Sequence, residues 1–505
     1  MVKPLELHQR VSVDGDLATV QYVGTLPAWG TGVVAYGLEW DRPERGKNDG
    51  RLDGHQYFLV EVAGSGSFIK AASTKIDPAR HTFVEALLHT YDAHHEFQHN
   101  IHFGSKTVEG YGFDRLNELQ SDLANVRTVS LQRKNIAASF GSRPADSTTL
   151  ASLTKVDHLD LSYNLFPSLD PVWAIVDRLP LLQTLVLNGN RFPIPDRMSN
   201  SYPNLVTLKL SSTMISIDRL NAILPNFPSL AELFLAGNRY SDEDISNLHI
   251  PSTVTVLDLA LNNLTTVPQP PASLESLILS DNKIATAPCI ENKGLKALDL
   301  GHNFIEDWAV IDTLSLCFPN LRLLRINGNY LFDAISIDEM TINLIARFNC
   351  TDAKSTTGLN KLNGAYLTRE EISNAELFFI SKVQQHFYSY NKDNRRWKQL
   401  LDKYQIQEQE SENTSPKPPL ANKKLSLIIN HSESKLQRVF LIDNTVLRLK
   451  GVISKSTGRS VLDFQVYYYV NEFENTTIKL KMFLEDNLSL LDSYGFHQNQ
   501  NIYVC

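Results

Sequence analysis

Leu159-Asp160-Leu161-Ser162-Tyr163-Asn164 returns along the chain as Leu185-Val186-Leu187-Asn188-Gly189-Asn190, and again from Leu208, Leu233, Leu257, Leu277, Leu298 and Leu324. The steps between these starts are 26, 23, 25, 24, 20, 21 and 26 residues. Such a period marks stacked units, none of which can bury its apolar face alone. The Leu-x-Leu core reads as a short parallel strand with both leucines pointing inward. Asparagine closes seven of the eight units (Asn164, Asn190, Asn238, Asn262, Asn282, Asn303, Asn329), and Thr213 stands in the third. The asparagine side chain can turn the backbone and bond the main-chain groups that no ladder satisfies. Val129-Ser130-Leu131, near Asn135, reads as a degenerate first unit. The expectation is a solenoid whose concave face is lined by the residues flanking the inward leucines.

These are the spacings of leucine-rich repeats. The flanking residues include Asp160, Glu232, Asp258 and Asp299 against Lys209 and Arg325. That mixed, slightly acidic surface suits a protein partner better than RNA or a small ligand, although each charge taken singly also fits a solvated sheet. After the repeats, Ile342, Leu344, Ile345 and Phe348 recur at helical spacing, and Glu370 to Lys403 is rich in Glu, Gln, Lys and Leu. This block is placed to cap the open end of the solenoid core. A polar stretch with Pro416, Pro418 and Pro419 follows and reads as a linker.

On the other side of the repeats, nine of the 24 glycines fall between Gly24 and Gly66, among Trp29, Tyr36, Trp40, Tyr57 and Phe58, with Phe68 just beyond. Glycines at that density permit positive φ and close backbone approach. A tight loop such as Gly46-Lys47-Asn48-Asp49-Gly50 can turn successive N–H groups into one concavity that suits a carboxylate. The run from Val11 to Asp77 resembles a CAP-Gly domain, a module that reads acidic C-terminal tails ending in an aromatic residue. The blocks that carry the resemblance are Tyr36-Gly37-Leu38-Glu39-Trp40-Asp41, Gly46-Lys47-Asn48-Asp49-Gly50, Gly54-His55-Gln56-Tyr57-Phe58 and Gly64-Ser65-Gly66-Ser67-Phe68-Ile69-Lys70. Val60 departs from the family, which often has cysteine there. The resemblance implies that Lys47 and Asn48 hold the terminal carboxylate, that Trp40 and Phe68 line the aromatic pocket, and that Asp49 braces the loop. Between Glu39 and Lys75 six basic residues meet six acidic ones. The module therefore exerts no strong long-range pull on an acidic tail, and recognition must be short-range.

Beyond the linker, Leu425 to Ile429 and Leu436 to Leu441 read as strands, Thr445 to Ser454 as a helix, and Phe464 to Val470, Ile478 to Met482 and Ile502 to Val504 as further strands. That order suits a β-grasp fold and resembles a ubiquitin-like domain. The absence of a Gly-Gly end argues against conjugation to other proteins.

The whole is expected to be a multidomain protein. A small β-barrel-like CAP-Gly domain spans 1–78, an inter-domain segment 79–124, and an α/β leucine-rich-repeat solenoid 125–340. A helical C-terminal cap follows over 341–404, a flexible linker over 405–423 and a β-grasp ubiquitin-like domain over 424–505. A formal charge of −8 argues against nucleic acid as the main partner. Cys289, Cys317, Cys350 and Cys505 lack metal-ligand spacing and fit a reducing cytosol. No apolar run reaches signal-peptide or membrane-spanning length, so a cytoplasmic protein with no membrane partner is expected.

One catalytic pattern occurs. His95-Glu96-Phe97-Gln98-His99 matches H-E-x-x-H, which on a helix could hold zinc beside a glutamate base. Five histidines crowd residues 89–102, however, and the glycine and third histidine of longer zinc motifs are not in place. No phosphate loop, nucleophile elbow or C-x-x-C pair occurs either. The expectation is no enzyme, no metal and no cofactor.

CAP-Gly, leucine-rich repeats and a ubiquitin-like tail, in that order, resemble the tubulin-folding cofactor E family and suggest a fungal-type member. Gly104-Ser105-Lys106-Thr107-Val108-Glu109, Gly112-Phe113-Asp114, Leu362-Asn363-Gly364 and Arg369-Glu370 to Ala375-Glu376 fit the same family. The resemblance implies a cytoskeleton-associated chaperone. Its CAP-Gly pocket takes the α-tubulin tail, its solenoid grips the α-tubulin body, and it works with cofactors B, C and D on heterodimer assembly and dissociation. The alternative is a microtubule-associated adaptor that binds acidic aromatic-ended tails and recruits a partner through its repeats.

Overall fold

The computed structural model describes residues 4–30, 32–91, 100–103, 106–109, 123–141, 149–193, 200–287, 290–355, 357–406, 424–431, 434–469 and 481–505. The chain forms two compact units, Met1–Gln407 and Glu408–Cys505.

The first unit opens with an antiparallel sheet in the order Arg10–Val13, Asp16–Thr25, Val34–Trp40, Gly66–Lys70. Strand alternation divides its side chains cleanly. Tyr36, Leu38 and Trp40 turn into a core with Val11, Val13, Ala18 and Val20. Gly37 and Glu39 face the other way. A bulge between Val20 and Tyr22 shifts the register of the second strand against the third. The motif loop crosses beside the last strand, and a Cβ added at Gly46 would lie 1.9 Å from the Gly64 carbonyl oxygen. Only glycine fits that crossing.

The module is fastened to the repeats. His81–Thr82 pairs in parallel with Ile136–Ala138, Asn135 Nδ2 donates to Asp77 at 2.7 Å, and Arg80 donates to the Arg10 carbonyl at 3.0 Å. Helix Phe83–Tyr91 buries Phe83, Val84, Ala86 and Leu87 in the same core as the solenoid leucines.

The solenoid is one sheet of 11 strands, from Thr128–Ser130 to Ala365–Tyr366. Every pairing is parallel except the last. The degenerate unit at Val129 supplies its first strand. The asparagines form a buried ladder of their own. Asn190 Nδ2 donates to the Leu161 and Leu187 carbonyls at 3.0 and 2.9 Å, and its Oδ1 accepts from Asn164 N at 2.8 Å. Asn262, Asn282, Asn303 and Asn329 likewise each donate to the carbonyls of their own and the preceding repeat. Thr213, with a single hydroxyl proton, shares it between its own Leu210 carbonyl at 2.9 Å and Asn238 Oδ1 of the next repeat at 3.2 Å.

The cap is more than helical. Helices Ile337–Arg347, Arg369–Gln384 and Arg395–Tyr404 follow the repeats. Between the first two, Lys361–Leu362 adds another parallel rung and turns back through Ala365–Tyr366. Asn363 Oδ1 accepts from Ile326 N at 2.8 Å, as the repeat asparagines do. The hydrogen-bonded repeat pattern thus runs past 340 into the cap.

The second unit has a five-stranded sheet ordered Ser434–Leu441, Lys424–His431, Gln500–Val504, Val466–Tyr469, Lys481–Phe483. Helix Val446–Thr457 covers one face and buries Val446, Leu449 and Ile453 against Leu425, Leu427, Ile429 and Ile502. The two strands next to each other at the centre, Lys424–His431 and Gln500–Val504, run parallel. This is the β-grasp arrangement.

Candidate functional site

Five rings gather on the glycine face of the N-terminal sheet. Gly37 lies opposite both Tyr22 and Phe68 in the register, and a Cβ there would sit 2.3 Å from the Phe58 ring. The missing side chain is what lets Phe58 lie against the sheet. Phe68 meets Phe58, Tyr57 and Tyr22 edge-on, with centroids 5.4, 5.5 and 6.4 Å apart. Tyr57 in turn meets Tyr22 at 5.2 Å and His55 at 4.6 Å. Phe58 is buried, while Phe68, Tyr57 and Tyr22 are half-buried. Such a cluster offers apolar, electropositive ring edges to an incoming aromatic side chain.

Trp40 is not part of it. The pairing Gly37↔Phe68, with no bulge between these two strands, puts Phe68 on the Gly37 face and Trp40 on the opposite one. Trp40 is 6% exposed, belongs to the module's own core, and has the Arg45 guanidinium 5.1 Å from its ring. Trp40 and Phe68 therefore do not share a face as expected, and Phe68 belongs instead to a cluster with Phe58, Tyr57 and Tyr22. Its members were visible as aromatic letters, but the face each one takes depends on the sheet register.

The motif loop lies beside the same strand as Phe68. Lys47 N and Asn48 N both donate to the Gly66 carbonyl, at 2.7 and 3.0 Å, and Gly66 N donates back to Asn48 O at 2.7 Å. Gly46 N is bonded to Pro43 O at 2.9 Å, and Gly50 N to Asn48 Oδ1 at 3.0 Å. These amides are therefore already engaged, which corrects the picture of a concavity of free N–H groups. What the loop can present to a carboxylate is the exposed Lys47 ammonium and the Asn48 Nδ2 amide. Asp49 is exposed and ties the loop to its surroundings. Its carboxylate accepts from Gly64 N and its carbonyl from Gln56 Nε2, the latter at 2.8 Å.

On the solenoid, the six charges flanking the leucines are placed by the parallel register. One column reads Asp160, Val186, Lys209, Phe234, Asp258, Ile278, Asp299, Arg325. Glu232 stands in the neighbouring column and accepts from Thr207 Oγ1 at 3.0 Å. Asp160, Asp258 and Asp299 each accept a backbone N–H two residues on, at 2.9, 2.9 and 3.0 Å, so each fixes its own turn. Lys209 lies 4.7 Å over the Phe234 ring, and Arg325 pairs with Asp299 at 3.6 Å. Burial, reinforced by Asp299, raises the Asp258 carboxyl above the usual carboxylate range. Val186, Phe234 and Ile278 alternate with these charges, which makes the column amphipathic rather than simply charged.

The histidines of the H-E-x-x-H match, His95 and His99, lie outside the described residues. Among the described residues no helix is long and apolar enough to cross a membrane.

Fold and site together define a multidomain protein in which a CAP-Gly module is joined to a leucine-rich-repeat solenoid and followed by a ubiquitin-like domain. Residues 7–74 match the CAP-Gly domain family. Protein PAC2 of Saccharomyces cerevisiae is 29% identical over 482 residues, covering 92% of this chain and 91% of that protein. Tubulin-specific chaperone E of Danio rerio is 32% identical over 342 residues, covering 64% and 63%. That of Xenopus laevis is 27% identical over 532 residues, covering 98% of both chains. The chain is thus similar to tubulin-specific chaperone E proteins over most or all of its length.

Proposed function

We propose that the protein is a tubulin-folding cofactor. In this reading it captures α-tubulin through its C-terminal tail and its body, and takes part with cofactors B, C and D in assembling and dissociating the α/β heterodimer. The observation that carries the reading is the Phe68–Tyr57–Tyr22 cluster beside the exposed Lys47, a receptor for an aromatic chain end, held on the same compact unit as an amphipathic repeat surface. Two modest contacts on one body reinforce each other through effective concentration, so neither need be tight. The names of the relatives point to the same partner. Chemistry on nucleotide would belong to tubulin, and the protein itself acts by binding, in the cytoplasm.

The test is a pull-down of soluble tubulin, intact or with its C-terminal tails removed. Intact tubulin should be retained and clipped tubulin retained less well. Equal retention would remove the tail from the account. Co-sedimentation with polymer, without loss of polymer, would instead favour a microtubule-bound adaptor.

A further inference from the structure

Several repeats have a second extended segment after the closing asparagine that bonds to the segment of the preceding repeat along one flank of the solenoid. Leu165 N donates to Ile136 O at 2.8 Å, Asn263 N to Tyr240 O at 2.9 Å, Lys283 N to Leu264 O at 2.9 Å and Phe304 N to Ile284 O at 2.9 Å. The second residue after each asparagine points inward, as the burial of Phe192, Tyr240, Leu264, Ile284 and Ile305 shows. The first residue after each asparagine points out and forms a row: Leu165, Arg191, Met214, Arg239, Asn263, Lys283, Phe304, Tyr330.

The CAP-Gly module covers only the start of this row. Leu165 is 1% exposed and Arg191, 3.8 Å from Asp41, is 17% exposed. Met214 lines a narrow cleft with Arg191 on one wall and Thr19, Gln21, Glu39 and Glu61 on the other. Beyond the cleft the row is open. Arg239 and Lys283 are exposed, and Phe304 and Tyr330 stack with centroids 5.1 Å apart while remaining 40% and 51% exposed. The ring cluster stands at the mouth of the cleft. Glu39 is two residues from Gly37, which is paired with Phe68, and Glu61 N donates to Glu39 at 2.6 Å.

We propose that this open row is the track for the acidic segment upstream of the aromatic end held by the module, with Arg239 and Lys283 supplying the attraction that the module lacks. The proposal rests on the tail-capture reading above and extends it. Neighbouring rungs lie about 4.8 Å apart, so Arg239 and Lys283 are roughly 10 Å apart and Arg239 and Tyr330 roughly 19 Å, about six residues of extended chain. The row itself contains no acid. Of the acids beside it, Glu61 on the module is near enough to Arg239 for the two charges to interact, Asp242 is committed to the Thr265 and Thr266 amides at 3.1 and 3.2 Å, and Asp281 and Glu306 stand in the flanking positions. A peptide whose last residue seats among the rings thus runs past Arg239 and Lys283 toward the Phe304–Tyr330 stack.

The experiment is fluorescence anisotropy on the full chain with two tyrosine-ended peptides of equal length, one glutamate-rich and one with glutamine at every glutamate. Arg239→Ala with Lys283→Ala should weaken the acidic peptide about fivefold at low salt and leave the glutamine peptide unchanged. The wild-type preference for the acidic peptide should fade in about 1 M salt, where the Debye length is about 3 Å. Phe68→Ala should weaken both peptides. Loss of both peptides by Phe68→Ala, with no selective effect of the double variant, overturns the track alone. If the wild-type chain binds neither peptide, the tail-capture reading falls and the track with it. Unchanged thermal unfolding of the double variant shows that its effect is on binding.

Discussion

Lys47 and Asn48 stand side by side in the motif loop, yet their side chains are doing different things. Lys47 projects into solvent, whereas Asn48 Oδ1 holds the Gly50 amide at 3.0 Å. Lys47→Ala should therefore weaken capture of a tail peptide with no change in thermal stability. Asn48→Ala should weaken capture and also cost about 1 kcal/mol of stability, because it strips the acceptor from a half-buried amide. Denaturant titration of the two variants beside their peptide affinities separates the roles, and equal stability of both would show the Asn48 bond to be idle. The two large rings of the motif separate in the same way. Phe68→Ala should abolish capture of an aromatic-ended peptide, and Trp40→Phe, a change in the core on the far face, should leave it largely intact. Capture lost in Trp40→Phe at a temperature where the protein is folded would return Trp40 to the site. From the letters alone these residues are indistinguishable, since a family motif records which residues occur and not which side of the sheet each one faces.

Among the elements, the repeat strands were the most legible part of the chain. Their leucines recur in all eight units and their closing asparagines in seven, because the same physical demand, inward apolar pairs and a buried amide for the freed carbonyls, acts along the whole solenoid. The demand can be tested at one rung. Asn262 Nδ2 donates to the Leu235, Leu259 and Ala260 carbonyls, and Oδ1 accepts from Asn238 and Tyr240. Asn262→Ala leaves several buried groups unpaired and should cost at least about 2 kcal/mol in urea unfolding. A loss below about 0.5 kcal/mol would show the ladder to be ornamental. The charges on the exposed side were legible as residues and misleading as a surface, because Asp258 and its counterparts serve their own turns. Asp258 also gives a pH signature. Burial lifts its carboxyl in the folded state, so the fold favours the proton. That contribution is full below the unfolded value of about 4 and is lost as pH rises through the folded value. Asp258→Asn, which keeps an acceptor for Ala260, should raise the unfolding temperature at about pH 7, with the gain shrinking toward about pH 3.5. A gain of equal size at both pH values would exclude ionisation as its cause.

For the whole molecule, the decisive relation is between the CAP-Gly module and the first repeats, and nothing in the local sequence announces it. Arg10, Asp41 and Arg191 are far apart in the chain and only Asp41 lies in a motif block, yet they meet at the seam. The fully buried Arg10 guanidinium grips both oxygens of Asp41, one at 2.7 Å, and reaches Thr19 Oγ1 at 2.9 Å. Arg191 approaches the same carboxylate from the solenoid at 3.8 Å, and burial lowers its pKa while Asp41 opposes the shift. One carboxylate thus serves an internal partner and an external one, and the two can be separated. Asp41→Asn leaves a buried guanidinium without its counter-ion and should destabilise the module by about 3–5 kcal/mol. Arg191→Ala removes only the external partner. The sheet around Tyr36 and Leu38 should keep its amide protection, while the seam amides that depend on seating, His81 N on Asn135 O and Phe83 N on Ser139 O, should exchange faster. If the proposed track is right, the same variant should also lose its preference for the acidic peptide over the glutamine one, because a module free to move no longer aims the chain end at Arg239. Faster exchange at the seam with the peptide preference intact would mean that the tail finds the flank without being aimed, and would separate the seating of the module from its role in recognition.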